Sequence, residues 1–160
     1  CEWKTRGKKQ AEQIEVLRKL WTEELVTFEG HFHKYNEVTI VPSPKQRPIP
    51  IWIGGSADKV IKRAAKLGDG WMPILSPDKE GKTALEKLYT YLEEFGRKRE
   101  GFGIEVWMRF SEDNPEVWGA TADEWRSMGV DMAMLYPMWE IKGVDGQIEI
   151  LSKFKEVAHS

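Results

Sequence analysis

The chain has 160 residues, with 24 Lys or Arg and 26 Asp or Glu, so its formal net charge is −2. That near balance argues against a dedicated nucleic-acid binder, which usually carries a clear basic excess, and bulk charge gives no reason to bind an acidic membrane. No apolar run approaches the roughly 20 residues of a membrane-spanning helix, and the one cysteine, Cys1, excludes an intramolecular disulfide. We expect a single cytoplasmic domain over 1–160.

The N-terminal part is predicted to hold a helix and a β-hairpin. Residues 1–9 are polar and without a core pattern, so a loop is expected there. Residues 10–21 place apolar side chains at helical spacing, with charged side chains between them. Residues 26–41 alternate apolar and polar positions around Gly30, which is typical of a hairpin, and a proline-rich connection follows.

Residues 50–160 repeat a strand-like run followed by a helix-like stretch four times. Short continuous apolar runs suit strands that are buried on both faces of a parallel sheet. The strict alternation of strands and helices predicts parallel strands joined by right-handed crossovers. Periodicity alone leaves two arrangements open, a doubly wound sheet and an arc of a barrel. The predicted strands lie at 51–53, 71–75, 104–110 and 132–136.

Three of the helices carry start signals in the sequence. Ser56 is a predicted N-cap, because its hydroxyl can accept a hydrogen bond from the first turn. Ser76 followed by Pro77 is typical of an N-cap and a first helical residue. The pattern from Thr121 to Glu124 matches a capping box, which predicts that a short helix begins there.

Four blocks of sequence resemble one family and occur in the order found there: EQIEVLRKLW (12–21), VTFEGHF (26–32), RPIPIWIGGS (47–56) and AAKLGDGW (64–71). The resemblance is to the luciferase-like oxidoreductases, which include flavin monooxygenases and deazaflavin (coenzyme F420)-dependent dehydrogenases and reductases. It covers nearly the whole chain and is clearest over 10–71.

The resemblance implies a fold as well as a chemistry. The family fold is a (β/α) barrel of eight strands and typically about 250 residues or more. This chain is shorter, and its four strands correspond to the second half of that barrel. We therefore expect an α/β half-barrel with four parallel strands in consecutive order, preceded by a helix and a hairpin. The chain is expected to start inside the connection after the fourth strand of the barrel.

The loop at the end of the first of these strands is the leading candidate for cofactor binding. Gly54 and Gly55 let the backbone approach a ligand closely, and the helix after Ser56 directs its N-terminus towards an anion. In the family, the matching loop helps to hold the cofactor phosphate, and Ser56 would add a hydroxyl donor. The alternative is a tight turn in which Ser56 only caps the helix. A Rossmann site is disfavoured, because the segment lacks the G-x-G-x-x-G spacing.

The end of the second strand is the next candidate. The resemblance implies that Trp71, Met72, Pro73 and Ile74 line the cofactor pocket. Several members of the family have a small hydroxyl residue where this chain has Ile74, so one possible phosphate donor is missing. The alternative is that Trp71 and Met72 are ordinary core residues.

Two residues near the later strand ends are candidates for the mouth of the ligand site. Arg109 follows the third strand, and its planar guanidinium suits a carboxylate or phosphate, although a structurally paired Arg is the alternative. Tyr136 ends the fourth strand and would border the same mouth. Trp139 and Glu140 lie in the next loop and would cover the pocket.

Neither a metal site nor a catalytic residue is predicted in this chain. His31 and His33 share one face of the hairpin, but no third ligand is evident, so two exposed polar positions are expected. No general acid or base stands out near the presumed pocket. In the family, the proton-handling histidine or carboxylate usually comes from the first half of the barrel.

The sequence is therefore interpreted as part of an oxidoreductase or monooxygenase that acts on a small organic substrate. FMN and the deazaflavin are not distinguished, and the bound ring would perform the hydride or oxygen chemistry. The isolated chain is expected to lack turnover and to form a homodimer, because a four-strand arc has open edges and a bare inner face. The alternative is a non-catalytic, self-associating half-barrel. Candidates for the inner face are Ile51, Ile53, Met72, Ile74, Val106, Met132 and Met134.

Overall fold

The computed structural model describes residues 3–109, 115–136 and 143–158. Its internal contacts divide the chain into two compact units, residues 1–51 (unit 1) and 52–160 (unit 2). Each unit contains its own hydrogen-bonded sheet, with two strands in unit 1 and four in unit 2. Within the described ranges, no helix combines the length and the apolar character that crossing a bilayer requires.

Unit 1 consists of a helix and a hairpin, as the sequence predicts. A 3-10 turn at Trp3–Thr5 leads into helix α1 (Arg6–Thr22), and strands β1 (Val26–Glu29) and β2 (Lys34–Val38) pair antiparallel. The helix begins at Arg6, inside the stretch 1–9 that was expected to be a loop. Arg, Lys and Gln are good helix formers even without a buried face, so the polar composition of this stretch did not exclude a helix.

The side chain of Glu12 joins the helix of unit 1 to the tip of the hairpin. Its carboxylate accepts hydrogen bonds from the N–H groups of His31 (2.8 Å), Phe32 (2.8 Å) and His33 (2.7 Å). The Nδ1 atom of His33 lies 2.9 Å from the same carboxylate. Gly30 leaves room for this contact, because a Cβ there would lie 2.5 Å from the carboxyl carbon of Glu12.

These hydrogen bonds change the acidity of Glu12. Partial burial raises the pKa of the carboxyl, but the hydrogen bonds from His33 and the three backbone amides outweigh that effect. The pKa of Glu12 therefore lies below its ordinary value. Of the two histidines that the sequence predicted to be exposed, His31 is exposed, whereas His33 is half-buried with its ring against the carboxylate of Glu12.

Unit 2 contains four parallel strands that alternate with helices. The strands are adjacent in chain order, and every neighbouring pair is parallel. The prediction of parallel strands in consecutive order is therefore confirmed, and the doubly wound alternative is wrong. In chain order the elements are β3 (Trp52–Gly54), α2 (Asp58–Leu67), β4 (Gly70–Met72), α3 (Lys79–Glu94), β5 (Gly103–Arg109), α4 (Pro115–Ser127), β6 (Met132–Tyr136) and α5 (Val144–Ala158).

One face of this sheet packs against helices. Helix α2 contacts β3 and β4, and α4 contacts β5 and β6. Ile53, Trp71 and Ile104 are register partners on three adjacent strands, and all three are buried, so they form the centre of this layer. The expectation that Ile53 and Val106 belong to the inner face is wrong. Side chains alternate along a strand, and Val106 shares the buried side with Ile104.

A tryptophan lies across the other face of the sheet. The indole ring of Trp52 on β3 covers two glycines, Gly70 on β4 and Gly103 on β5. A Cβ at either glycine would overlap the ring, so the missing side chains create the space that Trp52 fills. Further along this face, Met132 and Met134 on β6 are 52% and 43% exposed, so they leave apolar surface uncovered.

The predicted starts of the later helices differ from the observed ones. Helix α3 is capped by Asp78, whose carboxylate accepts hydrogen bonds from the N–H groups of Glu80 (2.8 Å) and Gly81 (3.1 Å). Ser76 therefore precedes the cap. Helix α4 begins at Pro115, which places Thr121 inside the helix and not at its start.

Candidate functional site

The carboxyl ends of β3 and β4 lie side by side. Gly54 and Met72 are register partners at these ends, so the loop after β3 and the loop after β4 leave the sheet at the same edge. In sheets of parallel strands joined by helices, ligands bind at this edge, where the loops of neighbouring strands converge.

Gly55 is held from two sides in a conformation that favours glycine. Its φ is +116°, its N–H donates to the carbonyl of Met72 at 3.1 Å, and its carbonyl accepts from the indole Nε1 of Trp71 at 2.8 Å. The loop after β3 is thereby attached to β4. Because the N–H of Gly55 already has a partner, the neighbouring backbone amides are better candidates for receiving an anion.

The N-terminus of α2 follows this loop directly. The N-cap residue is Ala57, and no side chain makes a capping hydrogen bond there. The N–H groups of Val60 and Ile61 both donate to the carbonyl of Ala57. The amides of Asp58 and Lys59 precede this first intrahelical bond, so they point out of the helix at the positive end of its dipole.

Ser56 was predicted to cap α2, and that prediction is wrong. The helix begins one residue later than the signal suggested, so Ala57 takes the cap position. The hydroxyl of Ser56 stays beside the helix N-terminus without serving as its cap.

Asp58 places a carboxylate in the first turn of α2. The side chain is turned towards α3, where the hydroxyl of Tyr91 donates to both of its oxygens at 3.0 and 3.1 Å. The Nζ atom of Lys87 lies 3.4 Å from Oδ1 of the same carboxylate. The negative charge is therefore engaged at the side of the helix and not above its N-terminal amides.

The four pocket-lining candidates at the end of β4 lie in different environments. The side chain of Trp71 is fully buried and holds Gly55, and Pro73 is buried as well. Met72 is half-buried on the face opposite to Trp71, whereas Ile74 is 65% exposed just beyond the strand. Ile74 and Met72 are the two that offer side-chain surface to a ligand, and Trp71 acts through the loop that it holds.

Two grooves open at the strand ends of unit 2. The α2–α3 groove has a volume of about 590 Å³, and Ser56, Ile61, Leu75, Lys79, Thr83 and Lys87 are among its lining residues. The β4–β5 groove has a volume of about 600 Å³ and is richer in aromatic side chains. Its lining includes Ile74, Ser76, Trp107, Val117, Trp118 and Trp125.

Tyr136 stacks on a tryptophan that the sequence analysis did not single out. The rings of Trp107 and Tyr136 lie 5.1 Å apart at an angle of 19°, at the carboxyl ends of β5 and β6. The indole Nε1 of Trp107 donates to Oε1 of Glu105 at 3.1 Å, which fixes the ring. Trp107 could have been found from the sequence, because it lies two residues before the candidate Arg109 on the same strand and such positions share a face.

The remaining candidates are only partly described. The backbone of Arg109 pairs in register with Tyr136, and its side chain lies outside the described part of the chain. Trp139 and Glu140 also lie outside the described residues. Among the residues that are described, no group of three or more His, Cys, Asp or Glu is placed to hold a metal ion.

Comparison with known proteins identifies relatives by sequence. The chain is 32% identical over 116 residues to an F420-dependent glucose-6-phosphate dehydrogenase of Kineococcus radiotolerans, covering 70% of this chain and 34% of that protein. It is 30% identical over 111 residues to a 5,10-methylenetetrahydromethanopterin reductase of Archaeoglobus fulgidus, covering 69% and 33%. The chain thus spans about a third of the length of these relatives.

Solved structures share the fold. A monooxygenase, RslO1, from Streptomyces bottropensis superposes with a TM-score of 0.79 at 19% identity, covering 98% of this chain and 61% of that one. An F420-dependent secondary alcohol dehydrogenase in complex with an F420-acetone adduct gives 0.60 at 16% identity, covering 98% and 55%. The family model described as luciferase-like monooxygenase matches residues 2–136. The chain therefore belongs to the luciferase-like monooxygenase family, and its relatives include F420-dependent oxidoreductases.

Proposed function

We propose that this chain is the C-terminal half of a barrel that carries out deazaflavin-dependent oxidoreduction, and that the loop from Gly54 to Lys59 holds the phosphate of the cofactor. The proposal rests mainly on the geometry of this loop. Gly55 is attached to β4 on both of its polar groups, and the loop leads into a helix without a side-chain cap. The F420-dependent relatives favour the deazaflavin over FMN.

The residues of this loop fit a phosphate group. The hydroxyl of Ser56 and the first amides of α2 offer donors at the positive end of a helix, which is a favourable place for an anion. Gly54 is exposed, and the nearest atom to a Cβ at that position would be the carbonyl oxygen of Met72 at 3.6 Å. Space is therefore open for a ligand to approach the backbone of Gly54.

The remaining chemistry divides between the cofactor and the protein. A bound deazaflavin would supply hydride transfer to or from a small organic substrate. The loop after β3 would hold the phosphate, and Met72 and Ile74 would border the ring or the substrate. We propose that the isolated chain has no turnover, because productive geometry needs a complete pocket and this chain would supply half of the strand ends.

A titration of the deazaflavin tests the phosphate loop. In Gly54→Val, the new side chain fills the open space beside the backbone, and the residue does not need a left-handed conformation. Any side chain at Gly55, by contrast, would be strained at its φ of +116°. We expect the wild type to bind coenzyme F420 and Gly54→Val to bind it at least about tenfold more weakly. Ala120→Val adds similar bulk at an exposed position of α4 and serves as the control.

Each outcome of this titration bears on the proposal. Equal affinity of the wild type and Gly54→Val would remove the loop from the site. A wild type that binds neither F420 nor FMN would overturn the cofactor assignment. Binding of FMN alone, with the same loss in Gly54→Val, would retain the phosphate loop and replace the deazaflavin.

One observation favours a second function, that of a non-catalytic, self-associating half-barrel. Met132 and Met134 expose apolar surface on the sheet face that bears Trp52, and β6 lies at one end of the four-strand order. Another copy of the chain would cover this face and pair the open strand edge. Absence of cofactor binding together with a stable dimer would support this second function.

A further inference from the structure

We propose that Tyr91 and Lys87 are positioning residues for the phosphate loop. By holding the carboxylate of Asp58 against α3, they keep it away from the N-terminal amides of α2. The inference rests on the proposed function, since it concerns the anion that those amides would receive. It assigns a role to two residues that lie on a different helix from the site itself.

The contacts among these three residues are specific. Tyr91 and Lys87 lie four residues apart on α3, so their side chains share one face of that helix. The hydroxyl of Tyr91 donates to both oxygens of Asp58, at 3.0 and 3.1 Å, and Nζ of Lys87 lies 3.4 Å from Oδ1. The carboxylate therefore has its partners on α3.

The first turn of α2 shows the effect of this arrangement. A carboxylate in the first turn of a helix is attracted by the positive end of the helix dipole. Asp58 is the first residue of α2, and the cap position before it is taken by Ala57, which has no side chain that could cap the helix. The negative charge that would otherwise repel a phosphate at these amides is directed to Tyr91. The amides of Asp58 and Lys59 are thereby left for a ligand.

The side chain of Lys62, which is paired with Glu94, also lies over the ring of Tyr91. Nζ of Lys62, one turn along α2, lies 4.9 Å from the centre of the Tyr91 ring and makes an ion pair with Glu94 at 2.8 Å. The hydrogen bond to Asp58 is the largest of the causes that raise the pKa of Tyr91. The phenol therefore remains a hydrogen-bond donor well beyond neutral pH.

The test compares two identical substitutions on the same helix. Tyr91→Phe removes the donor to Asp58, whereas Tyr89→Phe removes a hydroxyl that lies 3.4 Å from the carbonyl of Met128 and serves as the control. Coenzyme F420 and inorganic phosphate are the probes, at low salt. We expect Tyr91→Phe to bind both about three- to tenfold more weakly, as one charge near a helix terminus would cause. Tyr89→Phe should bind like the wild type.

A double-mutant cycle separates positioning from general support of the fold. Asp58→Asn removes the competing charge, so Tyr91→Phe should have no further effect on affinity in that background. Lys87→Met should also weaken binding in the wild-type background, where it removes the second partner of Asp58. Far-ultraviolet circular dichroism and thermal unfolding establish that each variant is folded before it is titrated.

The outcomes distinguish this inference from the proposed function. If the wild type binds neither probe, the phosphate loop and its positioning residues are both wrong. If the wild type binds and Tyr91→Phe binds equally well, the positioning role alone is overturned. An equal loss from Tyr91→Phe in the Asp58→Asn background would also overturn it, because the charge would then be irrelevant.

Discussion

Glu12 joins the helix of unit 1 to its hairpin through side-chain hydrogen bonds. Among the described residues of that unit, only three apolar side chains are buried, those of Ile14, Val16 and Val26. The carboxylate of Glu12 adds hydrogen bonds to three consecutive amides of the hairpin and to His33. A charged acceptor that satisfies several backbone donors contributes more than a neutral one.

Glu12→Gln is expected to lower the thermal stability of unit 1 and to speed hydrogen exchange at the amides of His31, Phe32 and His33. The amide side chain has one acceptor oxygen and no charge, so it cannot reproduce these bonds. Hydrogen exchange followed by NMR measures the effect at each amide. Glu15→Gln, at an exposed position of the same helix, is the control, and equal protection in both variants would contradict the expectation.

The same comparison has a defined dependence on pH. The pKa of Glu12 is lower in the folded state than in an unfolded chain, so its contribution is fully present above the ordinary Glu value, about 4.3. It is lost as the pH falls through the lowered, folded-state pKa. The difference in stability between the wild type and Glu12→Gln should therefore be constant near neutrality and should shrink in acid. A difference that grew in acid would contradict the sign.

The sequence could indicate the residues of the phosphate loop but not the directions of their polar groups. The pair Gly54 and Gly55 is visible as a motif. That the amide of Gly55 is bonded to Met72 depends on the register between β3 and β4, which only the folded sheet defines. The same holds for Trp71, because an apolar run does not show that its indole N–H supports a loop sixteen residues away.

Among the elements, strands and helices were predicted well, and helix starts less well. Apolar periodicity extends over a whole element, so several residues support each assignment. A helix start depends on one side chain, and the run Ser76-Pro77-Asp78 offers two capping residues of similar propensity. The observed cap is Asp78, whose carboxylate accepts two amides.

The packing of Trp52 on Gly70 and Gly103 joins three strands and gives a test at this scale. Gly103→Ala is expected to destabilise unit 2 by about 1–3 kcal/mol, because the new methyl group would overlap the indole ring. Replacing Trp52 by Leu in the same chain should recover part of this loss. Chemical denaturation followed by circular dichroism measures both.

The control for this test is a glycine with free space around it. A Cβ at Gly54, on the same sheet, would have no contact closer than 3.6 Å, so Gly54→Ala should change stability little. If Gly103→Ala were as stable as Gly54→Ala, the ring of Trp52 would not occupy the position described.

At the scale of the whole molecule, the order of the four strands followed from the alternation of strands and helices together with the family blocks. The proposed half-barrel cannot be read from the sequence in the same way, because closure of a barrel depends on what covers the face that bears Trp52, Met132 and Met134. Which side chains lie on that face was predicted only in part. Ile53 and Val106 have the same apolar character as Met132, and only strand register separates them.

The exposed face gives a prediction about assembly. We expect the chain to form a dimer at low micromolar concentration, with a mass by light scattering of twice 18.5 kDa. Met134→Lys should shift the mass towards the monomer, because a charge would be placed in the covered face. Val117→Lys, at an exposed position of α4, is the control. A wild-type mass of 18.5 kDa at all concentrations would contradict the prediction.

The two hydrogen bonds that join Gly55 to Met72 and Trp71 couple the movement of the loop after β3 to that of the end of β4. A displacement of the end of β4 must either carry Gly55 with it or break its two hydrogen bonds. If a ligand binds at each of these loops, as proposed, the two binding events would be thermodynamically linked, and linkage is reciprocal. If a substrate beyond Ile74 raised or lowered the affinity for an anion at α2 by some factor, the anion would change the affinity for the substrate by the same factor.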